Sequence, residues 1–220
     1  MMSPLFEPEL SRQISTCGIV AVLILDRVKD AVPVAQSLVT GGVTAMELTL
    51  RTPVALEALE AVRSEVPDMI AGVGTILTPD QVKLAKKSGA QFGVAPGMNP
   101  KVLVAAREAS LSFAPGVATP TDIEAALEHK CELLKFFPAE PCGGLSYLST
   151  ISAPYLHLGL KFVPLGGINP ANMASYLADP SIAAIGGSWL APRDLIKAGS
   201  WGEITDLARQ AIANIRSVRR

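Results

Sequence analysis

Short apolar segments alternate with amphipathic helical segments along most of this 220-residue chain. The candidate strands are Ile19–Leu25, Ala45–Leu50, Met69–Gly74, Phe92–Val94, Ser112–Phe113, Leu133–Phe136, Phe162–Pro164 and Ala183–Gly186. The candidate helices are Val28–Val39, Pro53–Val66, Pro79–Ser88, Pro100–Ala109, Pro120–Lys130, Gly144–Ser152, Ala171–Leu177 and Trp201 to about Arg216, with an extra N-terminal helix around Pro8–Ser15. Strands joined by helical crossovers predict an α/β fold, a single-domain (β/α)8 TIM barrel over residues 1–220.

Prolines mark several of the expected helix starts. Each follows Thr or Asn, as expected of an N-cap residue with proline at the first helical position: Pro53, Pro79, Pro100 and Pro120. A doubly wound open sheet is the alternative topology. The chain has no GxGxxG motif after its first candidate strand, which weakens the nucleotide-binding form of that alternative.

Charge and cysteine content exclude several classes of function. Nineteen basic and twenty acidic residues leave a net charge of -1, without the broad basic footprint of a nucleic-acid or membrane-surface protein. The N-terminus lacks a signal-peptide pattern, and no stretch of eighteen apolar residues predicts a membrane span. The odd set of Cys17, Cys131 and Cys142 has no CxxC spacing, and the two histidines match no metal motif. We therefore expect a cytoplasmic protein without a bound metal.

Lys135 lies within Cys131–Glu140, which contains a short apolar run that ends in proline and predicts a buried strand over Leu133–Phe136. An amine held among leucine and phenylalanine loses hydration, which disfavours its charged form. A neutral amine can attack a ketone and form a Schiff base. The alternative is a lysine at a strand end whose ammonium group reaches water.

Side-chain alternation places polar groups on one face of the second candidate strand. Glu47, Thr49 and Arg51 share that face, which points inward if the apolar face packs on helices. The same alternation turns Lys135 inward, and active sites of this fold lie at the C-terminal strand ends. An amine, a carboxylate and a guanidinium are the nucleophile, acid/base and anion clamp of a Schiff-base lyase acting on a keto acid. A structural Glu47–Arg51 ion pair is the alternative.

Other candidates follow the later strands. The Thr75 hydroxyl could donate to a carboxylate, or belong to an ordinary turn. Pro96 and Gly97 would shape a tight loop, which loop geometry alone also explains. Glycine pairs follow the seventh and eighth strands, where barrels often bind phosphate through backbone amides. These pairs are Gly166-Gly167 and Gly186-Gly187, the latter followed by the hydroxyl of Ser188, although left-handed turns also need glycine.

Together these residues resemble the 2-keto-3-deoxy-6-phosphogluconate (KDPG) aldolase family, the class I aldolases of the Entner–Doudoroff pathway. The shared motifs are Gly41-Gly42-Val43, Glu47–Pro53, Gly72–Thr75, Pro96-Gly97, Pro115-Gly116, Leu134–Glu140, Gly166–Ile168 and Gly186–Leu190. The segments KFFPAE and GGSWL are specific as a pair, and the resemblance spans nearly the whole chain.

The resemblance implies a TIM barrel, usually a homotrimer, with no metal or organic cofactor and a small phosphorylated keto acid as substrate. It implies Lys135 as the Schiff-base lysine and Glu47 as the acid/base. The implied substrate contacts are Arg51 and Thr75 for the carboxylate, Pro96 and Phe137 elsewhere on the substrate, and Gly166, Gly167, Gly186, Gly187 and Ser188 for the phosphate.

Two positions depart from the family pattern. Leu165 stands where members usually carry a small polar residue, often threonine, so a side-chain donor near the phosphate would be lost. Val73 enlarges the commoner GAG sequence, which we expect to tighten a wall of the site.

The implied reaction is reversible cleavage of KDPG to pyruvate and glyceraldehyde 3-phosphate. Three alternatives stay open. The same chemistry could act on 4-hydroxy-2-oxoglutarate or on the galactonate epimer. A metal-dependent lyase and a non-catalytic phosphosugar-binding barrel are the others, and the sparse histidines argue against the metal-dependent one.

Overall fold

Parallel strands and helices alternate along the chain in a computed structural model that describes residues 3–219. The strands are β1 (Ile19–Leu23), β2 (Ala45–Thr49), β3 (Ile70–Gly74), β4 (Phe92–Val94), β5 (Ser112–Ala114), β6 (Gly116–Val117), β7 (Leu133–Phe136), β8 (Lys161–Pro164) and β9 (Ile185–Gly187). The helices are α1 (Pro8–Cys17), α2 (Ala31–Thr40), α3 (Ala55–Glu65), α4 (Pro79–Lys87), α5 (Pro100–Glu108), α6 (Pro120–Glu128), α7 (Gly144–Ser152), α8 (Met173–Leu177), α9 (Arg193–Ala198) and α10 (Trp201–Val218). Short 3-10 helices cover Val28–Asp30, Ala153–Leu158 and Ser188–Leu190.

The strands form two parallel sheets, ordered β5-β4-β3-β2-β1-β9 and β6-β7-β8. The expected fifth strand, Ser112–Phe113, lies within β5, and a further short strand, β6, was not predicted. Pro115 separates the two, because it has no N–H group to donate to a sheet ladder. At the other junction, a parallel bridge joins Phe162 of β8 to Ile182, just ahead of β9. The fold is therefore α/β with parallel sheets, and closure into one eight-stranded barrel stays a prediction.

Helix starts follow the proline signals in three of the four cases. Thr78, Asn99 and Thr119 cap α4, α5 and α6 through their side chains, with proline at the start of each helix, as predicted. The expected start of α3 at Pro53 is wrong, because the helix begins at Ala55. The Thr52 hydroxyl is buried without a hydrogen-bond partner and caps nothing.

Other features also differ from the sequence prediction. The short helix α9 occupies a stretch that had no predicted element. The last strand, β9, begins at Ile185, two residues later than expected.

The N-terminal segment packs under the sheets. Helix α1 buries Leu10 and Ile14, and the ring of Phe6 lies 6.1 Å from that of Phe92 on β4. Phe6 and Ile14 also line a small internal cavity of about 20 Å³ that reaches Glu47 and Lys135. The segment thus closes the side of the fold opposite to the C-terminal strand ends. No helix within residues 3–219 is long and apolar enough to cross a membrane.

Candidate active site

An amine and a carboxylate are buried side by side at the centre of the site. Lys135 on β7 is 7% exposed and Glu47 on β2 is 3% exposed, and their Nζ and Oε1 atoms lie 3.3 Å apart. The alternative of a lysine whose ammonium reaches water is therefore wrong. The structural Glu47–Arg51 pair is also wrong, because in the described part of the chain Glu47 forms its ion pair with Lys135.

Strand alternation explains why both groups point the same way. In β7, Leu133 and Lys135 line interior cavities, while Phe136 stacks on Tyr147 of α7, with ring centroids 6.3 Å apart. Glu47 pairs in register with Val22 of β1 and Gly72 of β3. The inward orientation predicted from alternation is confirmed for the lysine and the carboxylate.

A glycine makes room for the carboxylate. A Cβ atom at Gly74 would lie 2.7 Å from Glu47 Oε1 and 3.0 Å from its Cδ. Any larger residue at position 74 would displace the carboxylate from the amine. The fold thus reserves the space in which Glu47 meets Lys135.

Arg51 is placed by a residue of the same strand face. The Thr49 hydroxyl donates to the Leu23 carbonyl at 3.1 Å, and Arg51 Nε donates to Thr49 Oγ1 at 3.4 Å. Arg51 is exposed at the mouth of the site, where its guanidinium is free to bind an anion bidentately.

Thr75 follows β3 with a backbone φ of 61°. A β-branched residue rarely adopts this left-handed conformation, which costs roughly 1–3 kcal/mol and concentrates at functional sites. Thr75 lines the cavity that Lys135 faces.

One cavity of about 320 Å³ collects ten of the eleven predicted site residues. They are Glu47, Arg51, Thr75, Pro96, Lys135, Phe137, Gly166, Gly167, Gly186 and Ser188. The Phe137 ring centroid lies 5.6 Å from Lys135 Nζ, so the ring packs beside the amine. Gly187 does not line the cavity, because it continues the ladder with Ala21 of β1 and lies under the Trp189 indole.

The loop after β8 presents free backbone amides. Gly166 and Gly167 have φ values of 95° and 88°, a conformation that favours glycine. Their N–H groups, and that of Ile168, donate to no acceptor within residues 3–219. Consecutive free amides in such a turn can hold an anion.

Sequence reasoning missed part of the apolar wall. Val22 and Ile168 line the cavity beside Leu165. The Leu165 side chain packs closely on Gly186, where a Cβ atom would lie 2.2 Å from Leu165 Cγ. The alternation of β1 could have found Val22, because it pairs with Glu47. The expectation that Val73 tightens a wall is wrong: Val73 pairs with Leu48, on the face opposite to Glu47.

This arrangement can form a Schiff base and move a proton beside it. The buried amine can act as a nucleophile toward a carbonyl carbon, and the adjacent carboxylate can accept a proton from the amine or from bound substrate. The site is a lysine centre for carbonyl chemistry. Residues 3–219 contain no group of three or more His, Cys, Asp or Glu side chains arranged to hold a metal ion.

Comparisons with known proteins agree with this chemistry. The family model "KDPG and KHG aldolase" matches residues 10–207. A 2-dehydro-3-deoxy-phosphogluconate aldolase of Treponema pallidum is 44% identical over 194 residues, covering 88% of this chain and 91% of that protein. This chain therefore belongs to the KDPG and KHG aldolase family.

Solved structures of similar proteins carry informative ligands. A KDPG aldolase of Legionella pneumophila, with pyruvate captured as a covalent carbinolamine intermediate, is 36% identical with a TM-score of 0.86, covering 90% of this chain and 96% of the other. The aldolase of Zymomonas mobilis with 3-phosphoglycerate is 36% identical with a TM-score of 0.83, covering 92% and 96%.

Proposed function

We propose that this chain is a class I aldolase that cleaves 2-dehydro-3-deoxy-6-phosphogluconate to pyruvate and D-glyceraldehyde 3-phosphate through a Schiff base on Lys135. The observation that carries the proposal is the buried pair of Lys135 Nζ and Glu47 Oε1, 3.3 Å apart and lining one cavity. The name of the Treponema relative and the pyruvate carbinolamine of the Legionella enzyme support it.

The reaction follows from the two buried groups. Glu47 accepts a proton from the lysine, and the neutral amine attacks the C2 ketone. The protonated Glu47 returns this proton to the carbinolamine hydroxyl, so water leaves and an iminium forms, which withdraws electrons. Glu47 then takes the proton of the C4 hydroxyl, directly or through a water, so the C3–C4 bond breaks and releases the aldehyde. The enamine is protonated at carbon, and hydrolysis frees pyruvate and the lysine.

The two ends of the substrate are held by different residues of the cavity lining. Arg51 and Thr75 bind the carboxylate beside the reacting carbonyl, with Pro96 and Phe137 enclosing the carbon chain. The phosphate binds the amides of Gly166 and Gly167, with Gly186 and Gly187 shaping the neighbouring strand end and Ser188 adding a hydroxyl. Anchoring both ends orients the C3–C4 bond. The 3-phosphoglycerate of the Zymomonas enzyme supports a phosphate subsite.

A second substrate is 4-hydroxy-2-oxoglutarate. The observation that favours it is Leu165, which adds apolar surface where a phosphate would need donors. The family model also spans enzymes of both kinds. The galactonate epimer would use the same lysine chemistry.

We also propose that the two sheets close into one eight-stranded barrel with the N-terminal helix as an added element, in a single domain over residues 1–220. The one-residue gap between β5 and β6 and the Phe162–Ile182 bridge support closure.

We further propose a cytoplasmic homotrimer. A closed ring of identical subunits uses two different surfaces of each subunit. Exposed apolar side chains occur in two places: Leu84 and Val104 on the neighbouring helices α4 and α5, and Leu156 and Leu158 after α7.

The test is steady-state cleavage of KDPG with enzymatic detection of pyruvate. Wild-type protein should turn over without added metal and in the presence of EDTA. Lys135→Ala should lose cleavage, because it removes the nucleophile, while Lys83→Ala, at an exposed site on α4, should match wild type. Retained turnover in Lys135→Ala would reject the assignment, and loss of wild-type activity in EDTA would favour the metal-dependent lyase. Binding of KDPG without any turnover would favour the non-catalytic barrel.

A further inference from the structure

A buried hydrogen bond lies behind the glycine loop that follows β8. Tyr176 on α8 is 2% exposed, and its hydroxyl donates to Oε1 of Glu140, four residues after the end of β7. Neither residue lines the cavity. Burial, and then the bond to Glu140, raise the pKa of Tyr176 above its usual value, so the hydroxyl remains a donor at neutral pH.

The backbone of the loop rests on the Glu140 side chain. A Cβ atom at Gly167 would lie 2.6 Å from the Cβ of Glu140 and 2.7 Å from its Cγ. The absence of a side chain at Gly167 therefore lets the loop approach Glu140 closely. Moving Glu140 would remove the support under Gly167.

Two backbone hydrogen bonds join the same segments. The Ala139 N–H donates to the Leu165 carbonyl at 2.7 Å, and the Glu140 N–H donates to the Gly166 carbonyl at 2.9 Å. The loop thus uses its carbonyl groups to bind the segment after β7. Its own amides, at Gly166 and Gly167, are left without an acceptor in residues 3–219.

The carboxylate of Glu140 also lies close to the start of helix α7. A Cβ at Gly144, the first residue of α7, would lie 3.0 Å from Glu140 Oε1 and 3.2 Å from the Tyr176 hydroxyl oxygen. Helix α7 has no side-chain N-cap, and a carboxylate at its N-terminus interacts favourably with the helix dipole. Glu140 therefore links α7, α8 and the glycine loop.

We infer that Glu140, held by Tyr176, is a positioning residue that sets the Gly166-Gly167 amides against the distal anionic group of the substrate. The inference rests on the proposed function, in which these amides bind phosphate. It assigns no contact with the substrate to either residue. Their loss should therefore affect binding of a phosphorylated substrate and spare chemistry at Lys135.

Tyr176→Phe tests this directly, because it removes the hydroxyl and keeps the ring. We expect KM for KDPG to rise by roughly five- to tenfold, the range of one lost hydrogen bond. The KM for unphosphorylated 2-keto-3-deoxygluconate, the kcat for both substrates and the deuterium exchange of the pyruvate methyl group should stay within about twofold of wild type. The control is Tyr155→Phe, which removes a similar Tyr–Glu bond of 2.8 Å to Glu124, outside the cavity, and should change none of these.

Two variants of Glu140 test whether its side chain positions the glycine loop. Glu140→Gln keeps the methylene groups and an acceptor for Tyr176, so its KM for KDPG should stay near wild type. Glu140→Ala should raise that KM at least as much as Tyr176→Phe. The inference would be overturned if KM rose equally for both substrates, or if kcat or the deuterium exchange of pyruvate fell. It would also be overturned if neither Tyr176→Phe nor Glu140→Ala changed the KM for KDPG. Failure of the proposed function is distinguishable, because wild-type protein would then show neither cleavage nor exchange.

Discussion

At the residue scale, the main feature is a carboxylate that the fold holds against an amine. Glu47 and Lys135 come from strands far apart in sequence, and Gly74 leaves the space in which they meet. Burying two opposite charges is costly unless they are paired, and here the carboxylate lies within reach of the amine and can accept its proton during the reaction. This arrangement explains how a lysine among apolar side chains can act as a nucleophile.

Glu47→Gln separates imine formation from proton transfer. The amide cannot take up a proton, so deuterium exchange of the pyruvate methyl group should fall by about 10²–10⁴-fold. The pyruvate imine on Lys135 should still form at equilibrium, because the amine is intact, but more slowly than in wild type, because Glu47 no longer accepts the lysine proton. NMR measures the exchange and mass spectrometry the reduced imine. Normal exchange in this variant would remove Glu47 from its role.

Leu165→Thr tests the apolar wall of the proposed phosphate subsite. A hydroxyl there adds a donor to a charged group, so KM for KDPG should fall by about tenfold, or ~1.5 kcal/mol. Leu165→Val, which has the same shape as threonine without the hydroxyl, is the matched control and should not show this gain. Equal behaviour of the two variants would mean that the phosphate lies elsewhere.

At the element scale, the N-terminal segment stabilises the side of the fold opposite to the C-terminal strand ends. Phe6 is buried against Phe92, and Ile14 of α1 lines the same small cavity. Phe6→Ala should lower the free energy of unfolding by about 3 kcal/mol, because it leaves a cavity. Gln13→Ala, on the exposed side of α1, should change it by less than about 0.5 kcal/mol. Urea denaturation measures both, and equal effects would contradict this packing role.

Element by element, the sequence predicted what depends on local pattern. Alternation in β2 and β7 correctly turned Glu47 and Lys135 inward, and threonine or asparagine before proline located three helix starts. The prediction that α3 starts at Pro53 failed, because Thr52 does not cap the helix. The strained backbone of Thr75 depends on the path of the chain after β3, which no spacing of residues encodes. The Tyr176–Glu140 bond joins residues 36 positions apart, and only the fold brings α8 beside the segment that follows β7.

At the scale of the whole molecule, the exposed leucines bear on assembly. The proposed homotrimer predicts a sedimenting mass three times that of the 23.0-kDa chain at micromolar concentration. Leu156→Asp, at a side chain that is 65% exposed in the single chain, should lower that mass if its patch lies in the interface. Its far-UV circular dichroism should match wild type. A wild-type protein that sediments as a monomer would contradict the proposal.

The central claim is that Lys135 forms a covalent imine with a keto acid, and borohydride reduction in the presence of pyruvate tests it most directly. Intact-mass and peptide mass spectrometry should show one reduced pyruvate adduct, on Lys135 alone, in wild-type protein and none in Lys135→Ala. Folded wild-type protein that gains no adduct, or an adduct on another lysine, would contradict the account.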